Sequence, residues 1–103
     1  MEERRRALRR DVAGELAILA NSMNVRVLDI STGGVMLTTN RSVDLGTKGR
    51  LRLNLGGTSL AADVQIQRVH AEPGAADQYL VGAMFVALDA EERQLIERFT
   101  TQQ

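Results

Sequence analysis

The sequence predicts a mostly-β domain: a six-stranded antiparallel β-barrel with one C-terminal α-helix. Three observations predict it. Most of the chain after Val12 repeats with period two rather than 3.6, as half-buried strands do. Glycine-bearing turns separate the apolar stretches, and there is no helical pattern between them to make a parallel crossover. One capped helical stripe closes the chain. At 103 residues there is room for one domain with a single core. A closed barrel suits six short strands because closure removes exposed edges.

Residues 1–10 read as a flexible charged arm, and residues 11–103 as the barrel with its helix. Leu16-Ala17-Ile18-Leu19-Ala20 reads as the first strand, and Asn21-Ser22-Met23-Asn24 as a polar turn. Val25 to Ile30 is the second strand, broken by Ser31-Thr32-Gly33-Gly34. Val35 to Thr39 is the third, followed by a polar connection with Gly46 and Gly49. Arg50-Leu51-Arg52-Leu53-Asn54-Leu55 alternates cleanly, and Gly56-Gly57 supplies the positive φ of a tight hairpin turn. The returning strand carries Leu60, Ala62, Val64 and Ile66 on one parity. That parity slips at Arg68-Val69, which suggests a bulge or a twist at a rim. Glu72 to Asp77 is a loop. Tyr79 to Val86 is apolar on both parities, as expected of a strand covered on two sides, with the C-terminal segment as the cover. Asp89 followed by Glu92 has the form of a helix cap, and Leu95, Ile96 and Phe99 form the buried stripe of a helix over about 89–101. Met23, Met36 and Met84 read as ordinary apolar filling.

Charge is balanced overall, 13 Lys+Arg against 13 Asp+Glu, but it is unevenly spread. The first ten residues hold five arginines and two glutamates, leaving the remainder of the chain net acidic. An anion is the natural partner of such an arm. There is no cysteine, which removes disulfides, thiol nucleophiles and thiolate metal sites. One histidine, His70, leaves no ligand set for structural zinc and no partner for a catalytic triad. Aromatic content of 3% argues against a base-stacking single-strand binder. No apolar run reaches the roughly 18 residues of a membrane span. Neither an enzyme nor a cofactor is expected.

Two motifs carry the chemistry. Arg4-Arg5-Arg6-Ala7-Leu8-Arg9-Arg10 is either a solvated basic tail or an anion clamp. Guanidinium groups offer planar bidentate donors to phosphate and to the O6/N7 edge of guanine. The chain's only lysine is Lys48, so this arm uses arginine alone. Asp29-Ile30-Ser31-Thr32-Gly33-Gly34 is either a turn, with Asp and Ser bonding the backbone and Gly supplying positive φ, or a recognition element. In the second reading Asp29 accepts from a ligand's donors, Ser31 adds a hydroxyl, and Gly33 and Gly34 permit close approach. Guanine fits both motifs, with N1–H and N2–H₂ side by side for a carboxylate and O6/N7 facing an arginine. Arg68, at the parity slip, either turns toward the same ligand face or is an exposed strand arginine.

Together, in this order and spacing, the motifs resemble those of the PilZ domain family, bacterial receptors for cyclic di-GMP. That family carries R-x-x-x-R before the first strand, matched by Arg5 and Arg9 or by Arg6 and Arg10. It carries [D/N]-x-S-x-x-G some twenty residues on, matched by Asp29, Ser31 and Gly34. Val81-Gly82-Ala83-Met84-Phe85 is similar to its last strand. The resemblance spans the chain and implies a bacterial, cytoplasmic PilZ-like barrel that binds cyclic di-GMP without catalysis. It further implies an arm that orders over the barrel when ligand arrives. An arginine before the motif (Arg4 or Arg5) implies two mutually intercalated ligand molecules. An unidentified protein partner acting in trans is expected, with no nucleic-acid polymer and no membrane insertion. The alternatives are a ligand-independent PilZ-type interaction module and a small-barrel nucleic-acid-binding protein.

Overall fold

The computed structural model describes residues 12–18, 21–72, 74 and 77–101. The arginine arm, the start of the barrel domain at residue 11, and Leu19 and Ala20 of the expected first strand lie outside the described residues. Six strands follow in order: β1 (Val12–Ile18), β2 (Asn21–Ile30), β3 (Gly34–Thr39), β4 (Lys48–Leu55), β5 (Thr58–Ala71) and β6 (Tyr79–Ala87). Among the described residues one helix, α1 (Ala90–Thr101), follows the strands. All neighbours are antiparallel, and the sheet closes as β1-β2-β3-β6-β5-β4.

β4 and the first half of β5 follow the expected alternation. Leu51, Leu53 and Leu55 are buried, while Arg50, Arg52 and Asn54 between them are exposed. Gly56 and Gly57 take φ of 61° and 92°, and the Gly57 N–H donates to Asn54 Oδ1 at 2.8 Å. Only glycine adopts that pair of left-handed conformations at little cost, which fixes the two-residue turn and hence the register. Leu60, Ala62, Val64 and Ile66 come back on the inner face to meet Leu16, Val27, Leu37 and Val81 in one core. Burying each large aliphatic chain there contributes about 1.5–3 kcal/mol.

The helix starts as its cap requires. The Glu92 N–H donates to Asp89 Oδ1 at 2.8 Å, and the Asp89 N–H donates to Glu92 Oε1 at 3.1 Å, a reciprocal capping box. Ile96 and Phe99 are buried in the core, and Leu95 packs against it.

Four local expectations need correction. Asn21 to Asn24 is not a turn. It is the first part of β2, paired residue for residue with Leu16 to Ile18 and Glu15 of β1. Hairpin pairing satisfies its backbone, while three of its four polar or apolar side chains simply face solvent. Gly49 is not in the connection but inside β4, where a Cβ would lie 2.9 Å from the Ala17 carbonyl oxygen. α1 packs on the β4 end of the barrel and does not cover both faces of β6, where Met84 and Val86 are 42% and 46% exposed. Met36 and Met84 are not core filling, since both lie on the outer parity of their strands.

Candidate functional site

Two β-bulges build one face of the barrel. On β2, Val27 pairs with Leu37 and Asp29 with Met36, so Leu28 is an extra residue. A regular ladder running on from buried Val27 would aim Asp29 into the core. The extra residue lets Asp29 stay outside while Ile30 returns to the inside, 4% exposed. On β5, Ile66 pairs with Ala83 and Arg68 with Gly82, so Gln67 is extra. The result is the same: Ile66 is buried, Arg68 is outside, and Val69 packs against the core.

Both re-aimed residues fall in one registered row across four strands. Asp29 on β2 faces Met36 on β3, Met36 faces Gly82 on β6, and Gly82 faces Arg68 on β5. Three strand spacings separate the charged ends, roughly 14 Å between backbones. Residues of this row, with Ser31, Gly33, Gly34, Gln67 and Met84, line an open groove of about 310 Å³. Among the described residues, neither the Asp29 carboxylate nor the Arg68 guanidinium has a hydrogen-bond or ion-pair partner. The aliphatic stem of Arg68 lies along Gly82, whose absent Cβ would sit 3.6 Å from the Arg68 Cβ.

The Ser31–Gly34 turn has its own bonds. The Ser31 N–H donates to the Gly34 carbonyl at 2.9 Å, and the Gly33 N–H donates to Ser31 Oγ at 3.2 Å. Among the described residues the hydroxyl proton of Ser31 has no acceptor and can donate outward. Neither glycine has positive φ, so the expected left-handed turn is corrected. Gly34 is required for another reason: a Cβ there would collide with the Ala83 carbonyl oxygen of β6. Gly33 has no such constraint, with Ser31 Oγ at 3.7 Å as its nearest neighbour.

The groove thus brings together Asp29, Ser31, Gly33, Gly34 and Arg68. Arg4, Arg5, Arg6, Arg9 and Arg10 lie outside the described residues, but their point of attachment is fixed. Val12 pairs with Val27, two residues before Asp29. His70 is exposed on β5 opposite Leu80. No group of three His, Asp or Glu side chains suited to a metal occurs among the described residues, and no helix there is long and apolar enough to cross a membrane. Sequence reading missed Met36, Gln67, Gly82 and Met84 as groove residues. Strand parity carried from Val35, Leu37, Val81 and Ala83 would have placed the methionines and Gly82 outside.

Comparison with known proteins yields a family and a fold. The family model for the PilZ domain matches residues 2–102. No curated protein matches the sequence. The inhibitor of motility MotI/DgrA of Bacillus subtilis superposes with TM-score 0.78 at 13% identity, covering 88% of this chain and 46% of that one. The chain therefore spans less than half of that relative's length. The PilZ domain of YcgR from Escherichia coli, solved with c-di-GMP, superposes with TM-score 0.70 at 14% identity over 86% of this chain and 79% of that one. The PilZ domain of CeSA from a cellulose-synthesizing bacterium gives 0.63 at 18% identity, covering 88% and 90%.

Proposed function

The chain belongs to the PilZ domain family, and from that premise we propose that it is a non-catalytic receptor for cyclic di-GMP. The observation that carries this reading is the row Asp29–Met36–Gly82–Arg68, which sets a carboxylate and a guanidinium, both without partners among the described residues, at opposite ends of one groove. The c-di-GMP in the YcgR domain of the same fold supports the choice of ligand.

Asp29 accepts from guanine N1–H and N2–H₂, a paired donor edge that adenine does not present. Ser31 donates its free hydroxyl. Gly33 and Gly34 keep the turn low enough for the ligand to approach. Arg68 faces the acceptors at the other end of the row. The arm supplies the phosphate contacts. An extended chain covers about 3.3 Å per residue, so Arg9 reaches roughly 10 Å and Arg5 roughly 23 Å from Val12. That range spans the groove. Arg5 and Arg9 are the preferred clamp, Arg6 and Arg10 the alternative register. Arg4 meets a second, intercalated ligand, giving two molecules per chain. Two such ligands carry four phosphate charges, which five arginines can balance. Closing the arm over the groove changes the surface offered to a protein partner. The site of action is the cytoplasm.

Calorimetric titration with cyclic di-GMP, cyclic di-AMP, GTP and a short single-stranded oligonucleotide tests this. Cyclic di-GMP binds at two per chain, more weakly as salt rises, and cyclic di-AMP binds far less. Arg5→Ala with Arg9→Ala removes binding without lowering the melting temperature, since each lost charge-assisted contact costs roughly 1.5–3 kcal/mol of affinity. Equal binding of cyclic di-AMP, or tighter binding of the oligonucleotide, contradicts the assignment.

A further inference from the structure

β3 and β6 place two glycines and two methionines in an alternating block on the floor of the groove. Gly34 faces Met84, and Met36 faces Gly82. The methionines are therefore diagonal neighbours, roughly 7 Å apart at their bases. With no side chain on either glycine, the two thioethers are the raised parts of an otherwise bare surface. Met84 is 42% exposed, and the Gln67 amide Nε2 donates to its sulfur at 3.1 Å, which holds it in place.

A nucleobase in this groove needs a surface to lie on, and no aromatic side chain provides one. The chain has three aromatic residues. Phe85 and Phe99 are buried, and Tyr79 packs against the core from the inner parity of β6. None lines the groove. Met36 stands between Asp29 and Gly82 in the registered row, so a base bridging Asp29 and Arg68 has to cross it.

We infer that Met36 and Met84 form a thioether platform on which the guanine ring of the ligand rests, in place of an aromatic stack. The inference rests on the cyclic di-GMP reading and names which side chains meet the base plane. Thioethers suit the task because sulfur is polarizable, attracted to aromatic rings, and carried on an unbranched chain that adapts to a flat ring. Gln67 is the positioning residue for Met84 and needs no contact with the base.

The test is a titration of the unmodified protein carrying ¹³C-labelled methionine methyl groups. Ring currents from a guanine on the platform move the Met36 and Met84 methyl signals upfield. Met23, on β2 and packed against the core, stays where it was and serves as the internal control. Met36→Ala with Met84→Ala weakens cyclic di-GMP roughly tenfold, while leucine at both positions loses less. Methyl signals that stay still while the Asp29 and Ser31 amides respond to ligand would overturn the platform and leave the receptor assignment intact. So would an alanine pair that binds like the unmodified protein. An unmodified protein that takes up no cyclic di-GMP refutes both.

Discussion

The β4–β5 hairpin and the β2–β3–β6–β5 face are made of the same kinds of strand, but only one of them keeps its parity. β4 pairs with β5 from Lys48–Gln65 to Leu55–Thr58 without a shift. Leucines point in, charges point out, and the ion pair on that surface among the described residues is the exposed Arg50–Asp63 contact at 2.7 Å, of a kind that contributes little. The groove face breaks register at Leu28 and again at Gln67, and these two breaks each leave a charged residue outside beside a strand that returns to the core, while a third shift, at Val86 of β6, falls outside the groove lining. Regular pairing makes a core. Chemistry is placed where the pairing is interrupted.

That contrast separates stability from binding, and substitutions can pull the two apart. The largest effect on stability belongs to the regular half. Leu53→Ala should cost about 2–5 kcal/mol of unfolding free energy in denaturant titrations, with the folded fraction binding ligand as before. Arg68→Ala should do the reverse, moving stability by less than about 0.5 kcal/mol while weakening cyclic di-GMP in calorimetry. If Leu53→Ala alters intrinsic affinity, the two halves are not independent.

Next in size is a pair of adjacent glycines. Gly34→Ala forces a Cβ against the Ala83 carbonyl oxygen and should lower stability by about 1–3 kcal/mol. Gly33→Ala meets nothing closer than Ser31 Oγ at 3.7 Å and should melt close to the unmodified protein. Equal melting temperatures for the two variants would mean that β3 and β6 can part at no cost.

Smaller again is the helix cap. Asp89→Ala removes the acceptor for the Glu92 N–H and should cost about 0.5–2 kcal/mol. Affinity should not change, because α1 packs on the β4 end of the barrel. A loss of binding in a thermally intact Asp89→Ala protein would tie the helix to the groove.

The same contrast decides what could be read from the sequence. β4, its glycine turn and the capped helix were legible because each has a strong local signal: strict alternation, a Gly-Gly pair, and acids at the cap and three residues on. The bulge at Gln67 was legible too, since Arg68-Val69 breaks a long alternating run. The bulge at Leu28 was not. Val27 and Leu28 are both apolar, so the shift in parity shows only once Ile30 is known to be buried. Asn21 to Asn24 looked like a turn because composition was the only guide, whereas pairing with β1 decides its conformation. Met36 and Met84 were hidden in runs apolar on both faces, where hydrophobicity no longer distinguishes inside from outside. Asp29, Ser31 and Gly34 stood out by spacing. Their convergence with Arg68 depends on strand order, which on this face joins β2 to β5 through β3 and β6.

The most direct measurement follows every backbone amide of the ¹⁵N-labelled protein during titration with cyclic di-GMP. The amides of Asp29, Ser31, Gly33, Gly34, Arg68, Gly82 and Met84 should shift together and saturate together. Those of Asn54 to Thr58 in the β4–β5 turn, and of α1, should stay in place. Shifts centred on the hairpin or the helix, or a groove that stays silent while ligand binds, would contradict the assignment of the bulged face as the binding site.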